Sequence, residues 1–220
     1  MDLTTPTFGG EVHPAYANPR VEVTALVPAG AHRVLDVGCS TGEMGVALKA
    51  RGHHVTGVEL DPVLAATARG RLDAFVEGDV ESLARDGTMV GDLFDCVVFA
   101  DVLEHLRDPW AVVRWGAAQV APGGCLVISV PNVRHAKTFW TLAVRRRWPY
   151  DPVGIFDRTH LRFFARRNLP ELVAGTGFEV VEVRRHRMLT VVHTSRWNRL
   201  APLLGDLGTL QFVVRAERPA

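Results

Sequence analysis

Two histidines stand where histidine chemistry would be useful. His105 closes the run Asp101-Val-Leu-Glu-His105, and His160 closes Asp157-Arg-Thr-His160. Imidazole is the side chain whose ordinary pKa lies nearest neutrality, so it is the usual proton acceptor for a hydroxyl. Asp157, three residues before His160, is of the right type to orient that ring, as a carboxylate orients a base. The spacing therefore favours His160 as base and gives His105 a positioning role. Asn132 and His135 follow an apolar run and are suited, with Asp157, to holding the hydroxyls of a small acceptor. Asp157, His160, His135 and Asp101 are also of magnesium- or zinc-binding types, but no tight spacing joins them, so no metal site is assigned. His32, His53 and His54 flank strand starts and read as surface residues.

These side chains need a frame, and the stretch Val34-Leu-Asp-Val-Gly-Cys-Ser-Thr-Gly-Glu-Met-Gly45 supplies its centre. An apolar strand runs into a glycine turn, and a helix opens near Thr41. Gly38 and Gly42 allow close approach of a ligand to the backbone, and the first N–H groups of the helix face it. A second apolar run, His54 to Val58, ends on Glu59, placed to take ribose hydroxyls. The glycines stand at 38, 42 and 45, with Ser40 and Glu43 at the second and third places of the dinucleotide fingerprint. Asp36 adds negative charge where a diphosphate would lie. A ligand carrying an ammonium and a sulfonium tolerates that charge; a dinucleotide does not.

Strand and helix then alternate. Strands are expected at about 33–37, 54–58, 74–76, 95–100, 125–130, 178–183 and 210–215, and helices at about 19–27, 42–51, 62–69, 109–120, 136–144, 168–175 and 195–204, with a loop or short helix in 81–92. The strands are mostly unbroken apolar runs, as strands covered on both faces should be. The order gives an α/β, doubly wound, Rossmann-like sheet with helices on both faces. The whole chain, 1–220, reads as a single domain with an irregular arm at 1–20 and an insertion at 132–167. That insertion fits no ordinary connection and is expected to act as an acceptor-side lid.

Composition narrows the partners. Apolar content of 47% with 22% charged residues is that of a globular protein, and a formal charge of +1 gives no overall pull toward nucleic acid or anionic membrane. Basic residues cluster locally, at Arg145, Arg146, Arg147, Arg158, Arg162, Arg166 and Arg167. Three cysteines in or beside strands, without metal spacing, suggest free thiols in a cytoplasmic protein. Neither a leader nor a membrane span is expected.

Five stretches, in order, resemble the motifs of class I S-adenosylmethionine (SAM)-dependent methyltransferases: Val34–Gly42, Gly57–Asp61, Gly78–Glu81, Phe94–Pro109 and Pro122–Asn132. The resemblance implies SAM as cofactor and a seven-stranded sheet whose last strand is antiparallel, between the fifth and sixth. It implies that Tyr16 and Arg20 cover the methionine end, Gly38, Cys39 and Gly42 form the turn, and Asp36 steers the ammonium. Glu59 would take the ribose and Leu60 the adenine face, Asp79 and Val80 would bind the adenine edge, and Ala100 and Asp101 would line the site. The segment Asp157–Leu169 is similar to one in small bacterial methyltransferases of the MetW-like, glycan-associated group, which points to a sugar or oligosaccharide hydroxyl as acceptor and O-methylation as the reaction. Methylation of nitrogen, or of a phenol or quinone precursor, is the alternative, and a non-catalytic SAM-binding module the third reading. The Asn-Pro-Pro-Tyr signature of nucleic-acid amine methylation is missing. Homodimerisation is left open.

Overall fold

The computed structural model describes residues 18–186 and 201–219, together with two short strands, β1 (Thr7–Phe8) and β2 (Glu11–Val12), which pair antiparallel. Tyr16, and residues 195–200 of the expected helix at 195–204, lie outside the described residues. One sheet holds β3 (Arg33–Val37), β4 (His54–Glu59), β5 (Ala74–Glu77), β6 (Phe94–Ala100), β7 (Val120–Pro131), β8 (Glu179–His186) and β9 (Gln211–Glu217), in the order β5-β4-β3-β6-β7-β9-β8. Every neighbouring pair is parallel except those made by β9, which runs antiparallel between β7 and β8, as expected. The chain winds outward from β3 through β4 to β5, then returns to β6 on the other side of β3. Ligands of such sheets bind at that reversal, outside the carboxyl ends of the strands.

The two-residue period of the strands builds both faces of the core. Leu35, Val37, Val97, Phe99, Leu126 and Ile128 point to one face, covered by α4 (Val80–Asp86), α5 (Pro109–Ala118) and α7 (Leu169–Leu172). Val34, Cys96, Val98, Cys125 and Val127 point to the other, covered by α1 (Val21–Thr24), α2 (Glu43–Lys49) and α3 (Pro62–Arg69). Aspartates start three of these helices. Asp61 accepts from Val63 N at 2.8 Å with Pro62 at the first helical position, Asp79 accepts from Glu81 N, and Asp108 accepts from Ala111 N ahead of Pro109.

Local departures have local causes. Pro122–Gly124, between the helix expected to 120 and the strand expected from 125, is a bulge inside β7: Phe94 pairs with Val120, but Cys96 already pairs with Cys125, and Gly123 takes φ +79°. The helix expected at 168–175 is a 3₁₀ turn, Arg166–Asn168, followed by the short α7: Asn168 Oδ1 accepts from Ala165 N behind it rather than from the first N–H groups of α7, while Nδ2 donates to Glu171 Oε2. His53 is not on the surface. It is buried, with Nδ1 against the Ala31 carbonyl; His32 and His54 are exposed.

The insertion carries α6 (Ala136–Ala143). Its large apolar residues Phe139, Trp140 and Leu142 are exposed, whereas Thr138 and Thr141 are buried. His135 caps the helix by accepting from Lys137 N, and positions 138 and 141, three apart and so on one face, turn inward. The rest of the insertion is pinned by buried Ile155, Phe156 and Phe164, with Trp148 edge-to-face on both Phe156 and Phe163.

Gly57 is a tight point of the frame. It pairs with Asp36 across β3 and β4, and a Cβ there would overlap Leu72 Cδ1 and lie 2.7 Å from Cys39 Sγ. Gly57→Ala is expected to lower stability by about 1–3 kcal/mol in urea unfolding. An unchanged midpoint would show that Leu72 and Cys39 move aside freely.

Candidate active site at the carboxyl ends of the strands

The glycine turn is held by a side chain from the next strand. Gly38 N and Cys39 N donate to the Val58 carbonyl. Glu59 Oε2 accepts from Ser40 N at 2.8 Å, and Oε1 accepts from Leu60 N and Asp61 N, both at 2.9 Å. Gly38, Ser40 and Gly42 all take positive φ, at +73°, +53° and +81°, and a Cβ on Gly38 would collide with Val102. Backbone thus shares Glu59 with the ribose hydroxyls expected there. Three of its roughly four acceptor positions are taken by backbone, leaving one on Oε2. Cys39 is buried and packs behind the turn, and burial pushes its thiol up, so its contribution is its backbone.

Asp36 lies inside β3, 1% exposed, and neither carboxylate oxygen has a hydrogen-bond partner. Burial, reinforced by Glu59 and opposed by Arg20, raises its pKa to about 7. A buried carboxylate in that condition calls for a cationic or donor partner. Arg20, itself at φ +50°, pairs with Asp101 Oδ2; burial lowers its pKa, and Glu22, Glu104 and Asp36 each raise it. Arg20 therefore stands among the acids of both β3 and the loop after β6. Asp101, at φ +52°, also accepts from Ser129 Oγ at 2.6 Å and from Gln211 Nε2. Ala100, half-buried, leads into it. Asp79 Oδ1 accepts from Glu81 N and Oδ2 from Ser82 Oγ, which starts α4 and leaves about two of its roughly four acceptor positions. Val80 opens that helix, where a backbone N–H has no partner within the helix. Leu60 is half exposed at the tip of β4.

The histidines meet. His105, in a 3₁₀ turn at Leu103–His105, and His160 are edge-to-face with centroids 4.7 Å apart. His160 Nε2 lies 3.9 Å from Glu104 Oε1. The backbone fixes this meeting, because the Glu104 carbonyl accepts from both Leu161 N (2.8 Å) and Arg162 N (3.0 Å). Glu81 Oε1 braces the same loop by accepting from Arg107 N and Asp108 N. Burial raises Glu104 to about 8 and lowers His160 to about 4, the latter helped by His105 and opposed by Asp157. Burial also lowers His105. At neutral pH both imidazoles are uncharged.

Two expected roles move. Asp157 does not orient His160. Its Oδ1 accepts from Thr159 N (2.8 Å) and Thr159 Oγ1 (2.7 Å), and Thr159 Oγ1 lies 2.9 Å from His105 Nδ1. The threonine's one hydroxyl proton goes to Asp157, so the hydroxyl accepts from His105 Nδ1–H and leaves Nε2 with a bare lone pair. The oriented ring is therefore His105. Asn132 is fully buried, with Nδ2 donating to the Asp206 and Thr209 carbonyls and Oδ1 accepting from Arg134 N. Its amide is used up in holding the β7–α6 connection, which removes it from acceptor binding. His135 is buried with Nδ1 spent on the α6 cap; its Nε2 is unpartnered.

Glu104, Thr159, Ser129 and Gln211 received no role in the sequence reading. Glu104 sat in plain view beside His105, but an acid after a strand usually reads as solvated. Ser129 and Gln211 are polar interruptions of apolar strands, a signal that marks a buried polar contact.

A family model for the methyltransferase domain matches residues 13–183. The chain belongs to the class I SAM-dependent methyltransferases. It is 37% identical over 158 residues to the ubiquinone biosynthesis O-methyltransferase of Marinobacter nauticus, covering 69% of this chain and 65% of that one. It is 39% identical over 110 residues to the enzyme of the same name from Xanthomonas axonopodis pv. citri, covering 49% and 46%. The chain thus spans about half to two thirds of the length of these relatives. Its fold is similar to that of a SAM-dependent methyltransferase from Archaeoglobus fulgidus (TM-score 0.69, 16% identity, 94% and 95% covered) and of magnesium protoporphyrin IX methyltransferase from Synechocystis with bound SAH (0.61, 15%, 90% and 81%). SAM is the methyltransferase's cofactor, and the site fits it: the orphaned Asp36 carboxylate suits an ammonium, and the Gly38 turn admits backbone approach. When bound, SAM supplies an electrophilic methyl on a sulfonium.

Two predictions follow from the charges. The folded-state pKa of Asp36 is raised, so its stabilising contribution is complete below about 4 and is lost as pH rises toward 7 and above. Asp36→Asn should therefore gain on the wild type in cofactor-free urea unfolding, by roughly 2–3 kcal/mol more at pH 8 than at pH 5. A difference independent of pH would mean the carboxylate is solvated. Glu59→Ala should weaken SAM binding by about 2–3 kcal/mol in calorimetric titration, because charge-assisted bonds to both turn and ligand are lost. Unchanged affinity would remove Glu59 from the cofactor site.

Proposed function

We propose that this methyltransferase transfers the methyl group to a hydroxyl of a small aromatic acceptor, of the phenol or quinone-precursor type. The observation that carries the reading is the pair of uncharged imidazoles, His105 oriented through Thr159 and Asp157, within the electrostatic neighbourhood of Arg20. A phenolic hydroxyl ionises near pH ~10 and gains from such a group at neutral pH. An amine acceptor has less need of it. The names of the relatives, ubiquinone biosynthesis O-methyltransferases, support an aromatic hydroxyl. The saccharide acceptor expected from Asp157–Leu169 has no support among them. Trp148 and the exposed Phe163, edge-to-face in the segment that carries His160, offer flat apolar surface to a ring rather than a polyhydroxylated one.

In the reaction the acceptor's O–H bond breaks, an oxygen electron pair forms the new bond to the methyl carbon, and the pair of the broken S–CH₃ bond stays on sulfur as a neutral thioether. The protein aligns the two partners and assists loss of the hydroxyl proton. Asp36 and Glu59 hold the cofactor end, and Glu104, His105 and His160 act on the acceptor hydroxyl.

Mass spectrometry of products from catechols, phenols, sugars and amines incubated with SAM is expected to find methyl ethers on the aromatic hydroxyls. Methylation confined to sugars or amines would overturn the reading. On the best acceptor, His105→Ala should lower turnover by about 10²–10⁴-fold while SAM affinity stays within about twofold. Retained turnover would separate the imidazole pair from the chemistry.

A further inference from the structure

We propose that Arg166, Arg184 and Arg185 form a binding site for a phosphate group at the outer edge of the sheet, separate from the cofactor site. The three arginines line one cavity of about 460 Å³ together with Val183, so every lining residue is cationic or apolar. That size admits a small molecule as well as a free ion, since ligand sites commonly run from roughly 300 to 1,000 Å³. The cavity lies well away from the cofactor. In the order β6-β7-β9-β8, three strand spacings of about 4.8 Å, roughly 14 Å in all, separate β8 from β6.

Two distant parts of the chain meet here. β8 is an edge strand, paired only with β9, and its carboxyl end holds Arg184 and Arg185 opposite Val213 and Phe212. Successive strand residues point to opposite faces, so a cavity that both arginines line lies at the strand's free edge. Arg166 is delivered by main chain. Val133 N donates to the Phe164 carbonyl at 2.9 Å, which ties residue 164 to the end of β7. The 3₁₀ turn Arg166–Asn168 follows, and buried Leu169 and Leu172 anchor α7 directly after it.

The arginines are short of counter-charge. Arg184 Nε donates to Glu182 Oε1 at 2.7 Å, and Arg185 Nε stands 3.3 Å from Asp206 Oδ1. Glu182 is shared with Arg215, 3.9 Å away. Among the described residues the Nη groups of Arg184 and Arg185 make no hydrogen bond, and the Arg166 guanidinium makes no polar contact. Guanidinium groups gathered in this way repel one another and concentrate anions between them. Each is a planar fork of paired donors. A phosphate has oxygens enough for three forks, whereas a carboxylate has two oxygens in all. Val183, packed against the core, gives the carbon atoms of a phosphate ester an apolar wall. Inorganic phosphate and a phosphate monoester share the chemistry that this site recognises.

The test is calorimetric titration of the full chain with inorganic phosphate, phenyl phosphate and acetate at physiological salt. The expected result is one phosphate per chain, with acetate bound at least tenfold more weakly. Arg166→Gln and Arg184→Gln should each weaken phosphate binding by about 10–100-fold, the loss of charge-assisted hydrogen bonds. Arg167→Gln removes the same charge from the next residue, which does not line the cavity, and should change binding less than twofold. Affinity for the demethylated cofactor should stay within twofold in all three variants, which shows that they are folded and that the sites are separate. Phenyl phosphate bound at least as tightly as inorganic phosphate identifies the ligand as a phosphate ester; the reverse order identifies the free ion, and either supports the site. No saturable binding, acetate bound as tightly as phosphate, or equal losses in Arg166→Gln and Arg167→Gln overturns it. The readout is binding without an acceptor, so it stands or falls apart from the hydroxyl-methylation reading.

Discussion

One carboxylate joins the parts of the cofactor site. Glu59 accepts three backbone N–H groups, one from the glycine turn after β3 and two from its own strand tip. Without that acceptor, Ser40 would hold its left-handed backbone with an unmet donor, and the turn would lose its tie to β4. The parallel register places this junction. Asp36 pairs with Gly57 on one side and Val98 on the other, so the three strands that make the reversal present their carboxyl ends together.

Charge is handled there by mutual dependence. Asp36 is buried without a partner, Arg20 is held by Asp101, and Glu104 is buried beside uncharged imidazoles. Such an arrangement is costly in a free protein and is relieved by a cationic ligand end at Asp36. The left-handed backbone of Arg20, Ser40 and Asp101, none of them glycine, lies in the same region. Strain of this kind persists where surrounding bonds over-determine it, as the contacts of Asp101 with Ser129, Gln211 and Arg20 do.

Much of this was legible in the sequence. Apolar runs with helix starts at Asp61-Pro62 and Asp108-Pro109 gave the order of elements, and Gly38, Gly42 and Glu59 marked the turn after β3 and the tip of β4, because turn chemistry and strand tips are local properties. What escaped was tertiary. Asp157 and His160 look like a pair three residues apart, but Thr159 intervenes and hands the carboxylate to His105, which only the fold brings near. Asn132 has the composition of a binding residue and the surroundings of a structural one. The outward-facing Phe139 and Trp140 on α6 run against the hydrophobic pattern, which buries Thr138 and Thr141 instead. Glu104 became visible only when its lack of a partner could be seen.

The central claim is that the His105–His160 pair faces the cofactor's reactive end with His105 carrying its proton on Nδ1. Histidine-selective ¹⁵N nuclear magnetic resonance of the metal-free protein tests both halves at once. The expected spectrum shows His105 neutral with Nδ1 protonated, and adding the demethylated cofactor shifts His105 and His160 while His32 and His54, at the opposite ends of the strands, stay still. A His105 protonated on Nε2, or shifts confined to other histidines, would contradict it.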